Sequence, residues 1–401
     1  SDEANNVAVS QVIAVSLPDN LVRWDGGGDG ISWSDALNWQ GDTLPTAVDN
    51  VVIDVPASAT ITYSGGDTEI RSLTVAEDFV LSGGILQVDS TFLAERSLTI
   101  AGGTLSRATL AASTQIVANS GTLVAVTLDT DITVGDRSTL TVRDGLTLTD
   151  GHRIVLDGTG SGAWLSFAGG SQTLDGNGEV VFSGPGYNTL VAALDAGEEL
   201  AIGAGITIHS GAGGQNGTLQ AESAVLNLGT IAADASGKTV TLTGNGLNNQ
   251  GTLLASGGGV LQLNGSYTTA HLGTLDGRTG TVNLGGVLDN GSAMLTLDDT
   301  TGTLNLIDGT IRGGTVRAVG GGVLVVPLYS RGTLDGLVLD TDLTVGPGAN
   351  LFVRNGLALA NGHRVVLASP TNYFSQMTFN GSSQTLDGNG EVVFSGPGYN
   401  T

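Results

Sequence analysis

Four histidines and a scatter of carboxylates are what this 401-residue chain offers for chemistry. His152 stands in Asp-Gly-His-Arg and His363 in Asn-Gly-His-Arg, equivalent places in a long repeat. An imidazole duplicated with its surroundings is a candidate acid–base group, but both tetrapeptides are turn sequences, and a surface turn is the reading they favour. His209 and His271 have no carboxylate or second His at metal-ligand spacing. The sole adjacent Asp pair is Asp298-Asp299, in LTLDDTTG. Two Gly-rich segments carry oxygen ligands at alternate or near positions, as calcium loops do. DGGGDG offers Asp25 and Asp29; LDGNGE offers Asp175, Asn177 and Glu179, repeated as Asp387, Asn389 and Glu391. Neither segment completes an EF-hand loop or a calcium nonapeptide. Asp-Gly and Asn-Gly are also common turn dipeptides, so turns are the first reading and calcium the alternative. No cofactor is required by anything in the sequence, and calcium is the one that could be accommodated.

Composition narrows the partners. The net charge is −24, with one lysine (Lys238) and 13 scattered arginines, so no basic stripe for nucleic acid or acidic lipid can be assembled. Only 13% of residues are charged, about half the usual share, while 40% are apolar, enough for a large core. The absence of Cys excludes disulfides, thiolate metal sites and a Cys nucleophile. No apolar run approaches the roughly 18 residues of a membrane helix. The opening SDEANNVAVSQVIAVSLPDN has no basic n-region, so it reads as a mature terminus rather than a signal peptide.

The elements that must position these groups are short strands. Helical periodicity is almost missing; stretches around 111–118 and 190–200 are the best helix candidates, and both also read as strand. Elsewhere three to six alternating residues end in Gly, Asn or Asp, as in SLTIAGG, TLTVRDG and TVTLTGNG. A Gly-Thr-aliphatic triplet begins at Gly103, Gly121, Gly217, Gly229, Gly251, Gly273, Gly280, Gly302, Gly309, Gly314 and Gly332. The step from Gly103 to Gly121 is repeated from Gly314 to Gly332, and the step from Gly251 to Gly273 is repeated from Gly280 to Gly302. Periods near 20 predict a solenoid, in this chain an all-β parallel β-helix. Inward aliphatics would stack in columns, Gly and Asn would turn the corners, and a low charge fraction would avoid like-on-like stacking between coils. At about 20 residues per coil the expectation is some 20 coils, a rod on the order of 90 Å long. Threonine pairs such as Thr147/Thr149 and Thr241/Thr243 do not recur at one fixed coil position in the sequence, which argues against a flat threonine array.

A longer period lies on top. Residues 121–156 are echoed by 332–367, and SQTLDGNGEVVFSGPGYNT occurs letter for letter at 171–189 and at 383–401. The expected organisation is an N-terminal strand and Trp-rich cap over 1–60 and a solenoid over 61–401. Within the solenoid, 103–313 form one unit of about 211 residues and 314–401 begin a second, so the chain reads as a piece of something longer. Three of the four tryptophans, Trp24, Trp33 and Trp39, fall in the cap segment, where they would cover the bare edge of the first coil. The alternative is a sugar-stacking surface made of the same rings. The apolar run VAVSQVIAVSL, with Val7, Val9, Val12 and Val15, either folds onto its own cap or adds in trans to another subunit.

The pattern W-x-G…G-x-x-W…N-W…P…D-x-V-x-I, from Trp24 to Ile53, is followed by GGTL and GTLDGLVL coils. It resembles large secreted repeat proteins of bacteria, the autotransporter-passenger and haemagglutinin-like β-helices, and the resemblance implies a right-handed parallel β-helix. The resemblance implies export to the cell surface and a structural or adhesive role, with self-association and surface glycans as candidate partners and no membrane insertion in this segment. The Asn-Pro-Asn-Gly motif of two-partner secretion is missing. Parallel β-helices are also the scaffold of polysaccharide lyases and hydrolases, which group carboxylates with Arg or Lys across neighbouring coils. Asp298-Asp299 lacks the Gly-His-Gly and Arg-Ile-Lys signatures of those enzymes, so a glycan-active enzyme is the second expectation. If the N-terminal run acts in trans, deleting residues 1–18 abolishes polymers in sedimentation while β-rich circular dichroism is unchanged; polymers that survive the deletion refute the idea.

Overall fold

A computed structural model describes residues 20–401 apart from 57, 113–115 and 212. The run with Val7, Val9, Val12 and Val15 lies outside the described residues. The chain is a parallel β-solenoid of about 16 turns, 60% strand and 2% helix. At about 4.8 Å per coil the stack is roughly 75 Å long. It is shorter than expected because many coils take more of the chain than the triplet spacing implies. Coils are short where Phe92 pairs with Leu110 and Leu110 with Leu128. They are long where Leu148 pairs with Gly176 and Leu174 with Ile202. The extra residues leave the stack as corner loops and do not change the ladder.

The Gly-Thr-aliphatic triplets set most of the corners. Typically the Gly closes a turn or opens a strand, the Thr lies at the strand's start, and the aliphatic residue points inward. Gly314 differs, standing inside the long strand Gly309–Ala318 at a positive φ that bends it. The aliphatic members, among them Leu105, Leu219, Leu253 and Leu334, are buried, save Leu275, which is half-buried. The Gly is fixed by the coil below. A Cβ at Gly251 would stand 2.1 Å from the Gly229 carbonyl oxygen, and one at Gly217 would stand 2.0 Å from the Phe182 ring. The alternation then runs inward and outward as in Thr239–Gly244, where Val240 and Leu242 are buried and Thr239, Thr241 and Thr243 face out. Both expected helix candidates resolve to strands, Tyr187–Leu194 and Glu199–Ile202 in one case, Thr109–Ala112 and Ile116–Ala118 in the other. Ladder pairing with the coils on either side overrides their weak helical preference.

The ladder begins at Leu21–Arg23, which pairs with Asn50–Ile53 above it, and that strand pairs in turn with Ser72–Val75. Three strands make a typical coil, and the strands of 121–182 recur in the same order over 331–395. Between the two stretches the ladders change places. The ladder through Arg153–Leu156, Ile206–His209 and Thr230–Ala233 runs to Thr274–Asp276. A new one opens at Ser266–Thr268 and continues through 287–289 and 309–312. Arg364–Ala368, the repeat counterpart of Arg153–Leu156, therefore stands on the ladder of Thr281–Leu284, Thr303–Leu306 and Val323–Val326.

Inside, most polar side chains have partners, while the Ser210 and Ser369 hydroxyls and Trp33 Nε1 are buried without one. Asn227 and Asn249 are fully buried one coil apart, and Asn227 Nδ2 donates to Asn249 Oδ1 at 2.6 Å. Asn249 Nδ2 donates to the Leu272 carbonyl at 2.7 Å, carrying the chain of bonds one coil further. Because each coil touches only its neighbours, damage should stay local. Phe182→Ala, at a fully buried ring, should cost about 3–5 kcal/mol; hydrogen exchange should show protection lost around Phe182 and kept near Trp39.

Candidate functional site

Asn38 organises the cap. It is fully buried, and its Oδ1 accepts the N–H groups of Gly28 at 3.1 Å and Gly30 at 2.8 Å. Its Nδ2 donates to Asp29 Oδ1 at 2.8 Å and to the Ser32 carbonyl at 3.0 Å. DGGGDG is thus wrapped around one amide. Asp29 Oδ1 also accepts from the backbone of Ile31 and Ser32. The Ser32 hydroxyl, the Ile31 and Ser32 N–H groups and the Asn38 amide hold its carboxyl well below the usual carboxylate range. Asp25 accepts from the Gly27 N–H at 3.0 Å. Each carboxylate has a turn to close, which is the first of the two readings given to this loop.

The three cap tryptophans are buried and meet edge to face. Trp39 stands 4.9 Å from Trp24 and 4.7 Å from Trp33, and its Nε1 donates to the Trp33 carbonyl at 2.9 Å. Trp33 goes on to Tyr63 at 5.5 Å and Phe79 at 6.1 Å, and Phe79 to Phe92 at 5.6 Å. Such pairs contribute about 0.5–1.5 kcal/mol each beyond area burial. The rings close the bottom of the core and leave no open face of their own for a sugar.

The second set of candidate oxygens diverges. Asp175 closes on the Gly176 N–H at 2.8 Å, Asn177 Nδ2 donates to Asp150 at 2.8 Å, and Glu179 lies 3.7 Å from His209 Nε2. Their counterparts Asp387, Asn389 and Glu391 are exposed, and Asp387 likewise takes the Gly388 N–H at 2.7 Å. Among the described residues no group of three or more His, Asp or Glu side chains is placed to hold a metal ion. Asp298 and Asp299 also part company. Asp298 Oδ1 accepts from Thr300 and Thr301, whose bonds, that of Thr301 first, depress its carboxyl, while Asp299 takes the Gly321 N–H at 2.6 Å.

Three of the histidines find partners one coil away, where local spacing could not reveal them. His152 Nδ1 stands 3.3 Å from Asp131 and its Nε2 3.6 Å from Asp129. His363 repeats this with Asp342 at 3.3 Å and Asp340 at 3.4 Å. Both lie in the turns that lead into Arg153–Leu156 and Arg364–Ala368, where they brace one coil to the next. His209 is more enclosed: Nδ1 meets Asp234 at 2.7 Å, and Nε2, shut off from solvent, has no hydrogen-bond partner. An imidazole oriented by a carboxylate suits acid–base work, but an enclosed Nε2 gives an outside substrate no access.

Charges stack opposite on opposite, which, beside the low charge fraction, is a second way of avoiding like-on-like columns. Asp289, Arg312, Asp335 and Arg354 are consecutive register partners, with Arg312 3.5 Å from Asp335 and 4.0 Å from Asp289. A cleft of about 440 Å³ beside them is lined by Tyr267, His271, Asp289 and Arg312. Threonines do occupy fixed columns, Thr91–Thr109–Thr127–Thr147 and Thr207–Thr230–Thr252–Thr274. Thr230, Thr252 and Thr274 are the threonines of the triplets at Gly229, Gly251 and Gly273, so part of the second column was open to view in the linear sequence.

Comparison with protein-family models, curated proteins and solved structures gives no match to this chain. Its fold and its sites therefore rest on its own geometry.

Asn38→Ala leaves the Gly28 and Gly30 N–H groups without their acceptor, a loss of about 1–3 kcal/mol for each one shut off from water. Tryptophan fluorescence should shift red at lower temperature while the far-ultraviolet β signal persists. The same change removes one donor from the Asp29 carboxylate. Since Asp29 is depressed in the folded cap, its contribution is complete above about pH 4 and fades as pH falls toward the depressed value. Acid titration followed by tryptophan emission should show the Asn38→Ala cap opening at higher pH than the parent.

Proposed function

We propose that this chain is part of a bacterial extracellular structural or adhesive fibre, a stiff acidic rod that holds another element at a distance or joins others into a filament. The observation that carries the reading is the repeat. The strands of 121–182 recur in order over 331–395, and the later set stacks on the same solenoid. A unit that can be written again with its ladders continued is a device for adding length. Core columns of buried aliphatics run the length of the described stack, which supports stiffness. The surface offers paired charges and threonine columns, in keeping with a solvated shaft. Among the described residues no helix is long and apolar enough to cross a membrane.

A polysaccharide-degrading enzyme is the second reading, favoured by one observation: Asp289, Arg312 and Asp335 lie across three coils beside the His271 cleft. Against it, the charges continue as a ladder to Arg354, as a brace between coils would. Electron microscopy of the purified chain decides the first reading. The expected particle is a rod roughly 75 Å long at about 4.8 Å per coil, of constant width, and compact globules overturn it. Release of reducing ends from a polysaccharide, abolished by Asp289→Asn, would replace the stalk with the enzyme.

A further inference from the structure

We propose that the side of the rod bearing Trp164 and Tyr187 is a binding groove for a neutral oligosaccharide, a property independent of whether the rod serves as a stalk. Trp164 is the one tryptophan outside the cap segment. It points outward from the strand Gly162–Gly169, between buried Ala163 and Leu165. Its indole lies back along that strand. A Cβ at Gly162 would come within 2.8 Å of the ring edge and 2.6 Å of the Tyr187 carbonyl oxygen, so the glycine makes the bed on which the ring rests. Tyr187, the register partner of Gly162 one coil on, is 76% exposed.

Beside Tyr187 opens a cleft of about 500 Å³ lined by Gly160, Tyr187, Asn216, Thr218, Thr239 and Thr241 among others, with Trp164 on the coil below and outside its lining. No lining residue is charged, on a chain with a net charge of −24. The column above Trp164 runs through Thr189, which is buried, to Thr218, Thr241 and Gln262, and then through Asn283, also buried, to Asn305. The amides are held in line by one another: Asn283 Nδ2 donates to Gln262 at 3.1 Å and Asn305 Nδ2 to Asn283 at 3.0 Å. The surface thus runs from aromatic, through hydroxyl, to amide.

The chemistry of that sequence selects its ligand. A pyranose has an apolar C–H face, which an indole or phenol ring covers, and a rim of hydroxyls, which exchange hydrogen bonds with Thr and Asn. An anion would meet an acidic protein, and the cations flanking the groove, Arg137 and Lys238, are bonded to Ser161 and Gln215. The carboxylate nearest a cation, Asp136, is taken up by the Gly160, Ser161 and Gly162 N–H groups, and an apolar ligand would leave the Thr hydroxyls without water or partner. The size is that of ordinary ligand clefts. One coil step, roughly 4.8 Å, is comparable with the length of a pyranose unit, so a chain lying along the axis sets successive sugars over successive coils. The second unit supplies an internal control. Gln376, paired with Asn350, holds the place that Trp164 holds beside Thr139. The fold does not need the indole.

The test uses the whole chain with cellohexaose and mannohexaose as neutral probes and hexagalacturonate as the acidic one, read by calorimetry and tryptophan emission. The cap rings are buried, so an emission change reports Trp164. Saturable binding of a neutral hexasaccharide is expected, with at least a tenfold weaker affinity in Tyr187→Ala and no emission change in Trp164→Gln, whose substituent the second unit already accommodates. The doubly substituted Thr218→Val/Thr241→Val chain should weaken binding without altering far-ultraviolet circular dichroism. The proposal is overturned if neither neutral probe binds saturably, if affinity survives in Tyr187→Ala and Trp164→Gln, or if hexagalacturonate binds equally well.

Discussion

Parallel stacking in register is the constraint from which the rest follows. Each residue lies against the one that occupies the same place a coil later, about 4.8 Å away, so a side chain is acceptable only if its column accepts it. Aliphatic columns satisfy this by burial, and the interior contains little else. A buried amide satisfies it by bonding to an amide above, as Asn227 does to Asn249. Corner glycines answer to the same rule: the coil below leaves no room for a Cβ, and the Gly-Thr-aliphatic triplet is the sequence form of a corner followed by one outward and one inward residue.

Charge obeys the column rule in a particular way. Arg96 pairs with Asp78, Arg107 with Asp89, Arg153 with Asp131 and Arg317 with Asp340, each across coils. Exposed pairs of this kind contribute only about 0–1 kcal/mol each, so their importance is less in stability gained than in repulsion avoided. The chain has 38 acidic residues against 14 basic ones, and Arg alone cannot offset them. The surplus Asp bind backbone instead. Asp136 Oδ1 accepts the N–H groups of Gly160, Ser161 and Gly162 at 2.8–3.0 Å, and those bonds, Gly160 first, lower its carboxyl below the usual range. Acidity here is a by-product of turn chemistry.

Much of this was legible in the sequence because turn residues and inward aliphatics are local signals. The solenoid, its strands and the aromatic cap could all be read from triplets, alternation and tryptophan spacing. What could not be read depends on coil length. His209 looked isolated, yet Asp234 stands against it from the neighbouring coil, beyond the reach of any local spacing rule. The threonine columns and the opposite-charge column recur at near-constant intervals, but which residue meets which is settled only by the register, as for Asp289, Arg312 and Asp335. Asn38 gave no signal of its own importance; only the folded loop shows that two glycine N–H groups converge on it. The exchange of ladders near Ser266–Thr268 was also hidden, for each strand there has an ordinary pattern and only the pairing changes.

That exchange bears on what duplication achieves. Were the second unit laid in the same frame as the first, every repeated surface feature would return on the same ladder, and duplication would build a stripe of identical sites along the rod. Instead the strand that follows His363 continues a different ladder from the strand that follows His152. The two His–Asp clusters nevertheless keep the same local geometry, with contacts of 3.3 and 3.6 Å in one and 3.3 and 3.4 Å in the other. Repetition here preserves the coil and its local braces while changing the ladder on which they stand. The Trp164 position points the same way, since its second occurrence carries Gln376. A chain under demand for many equivalent surface sites would lose by both changes; one that needs only continuous core columns and satisfied corners loses nothing.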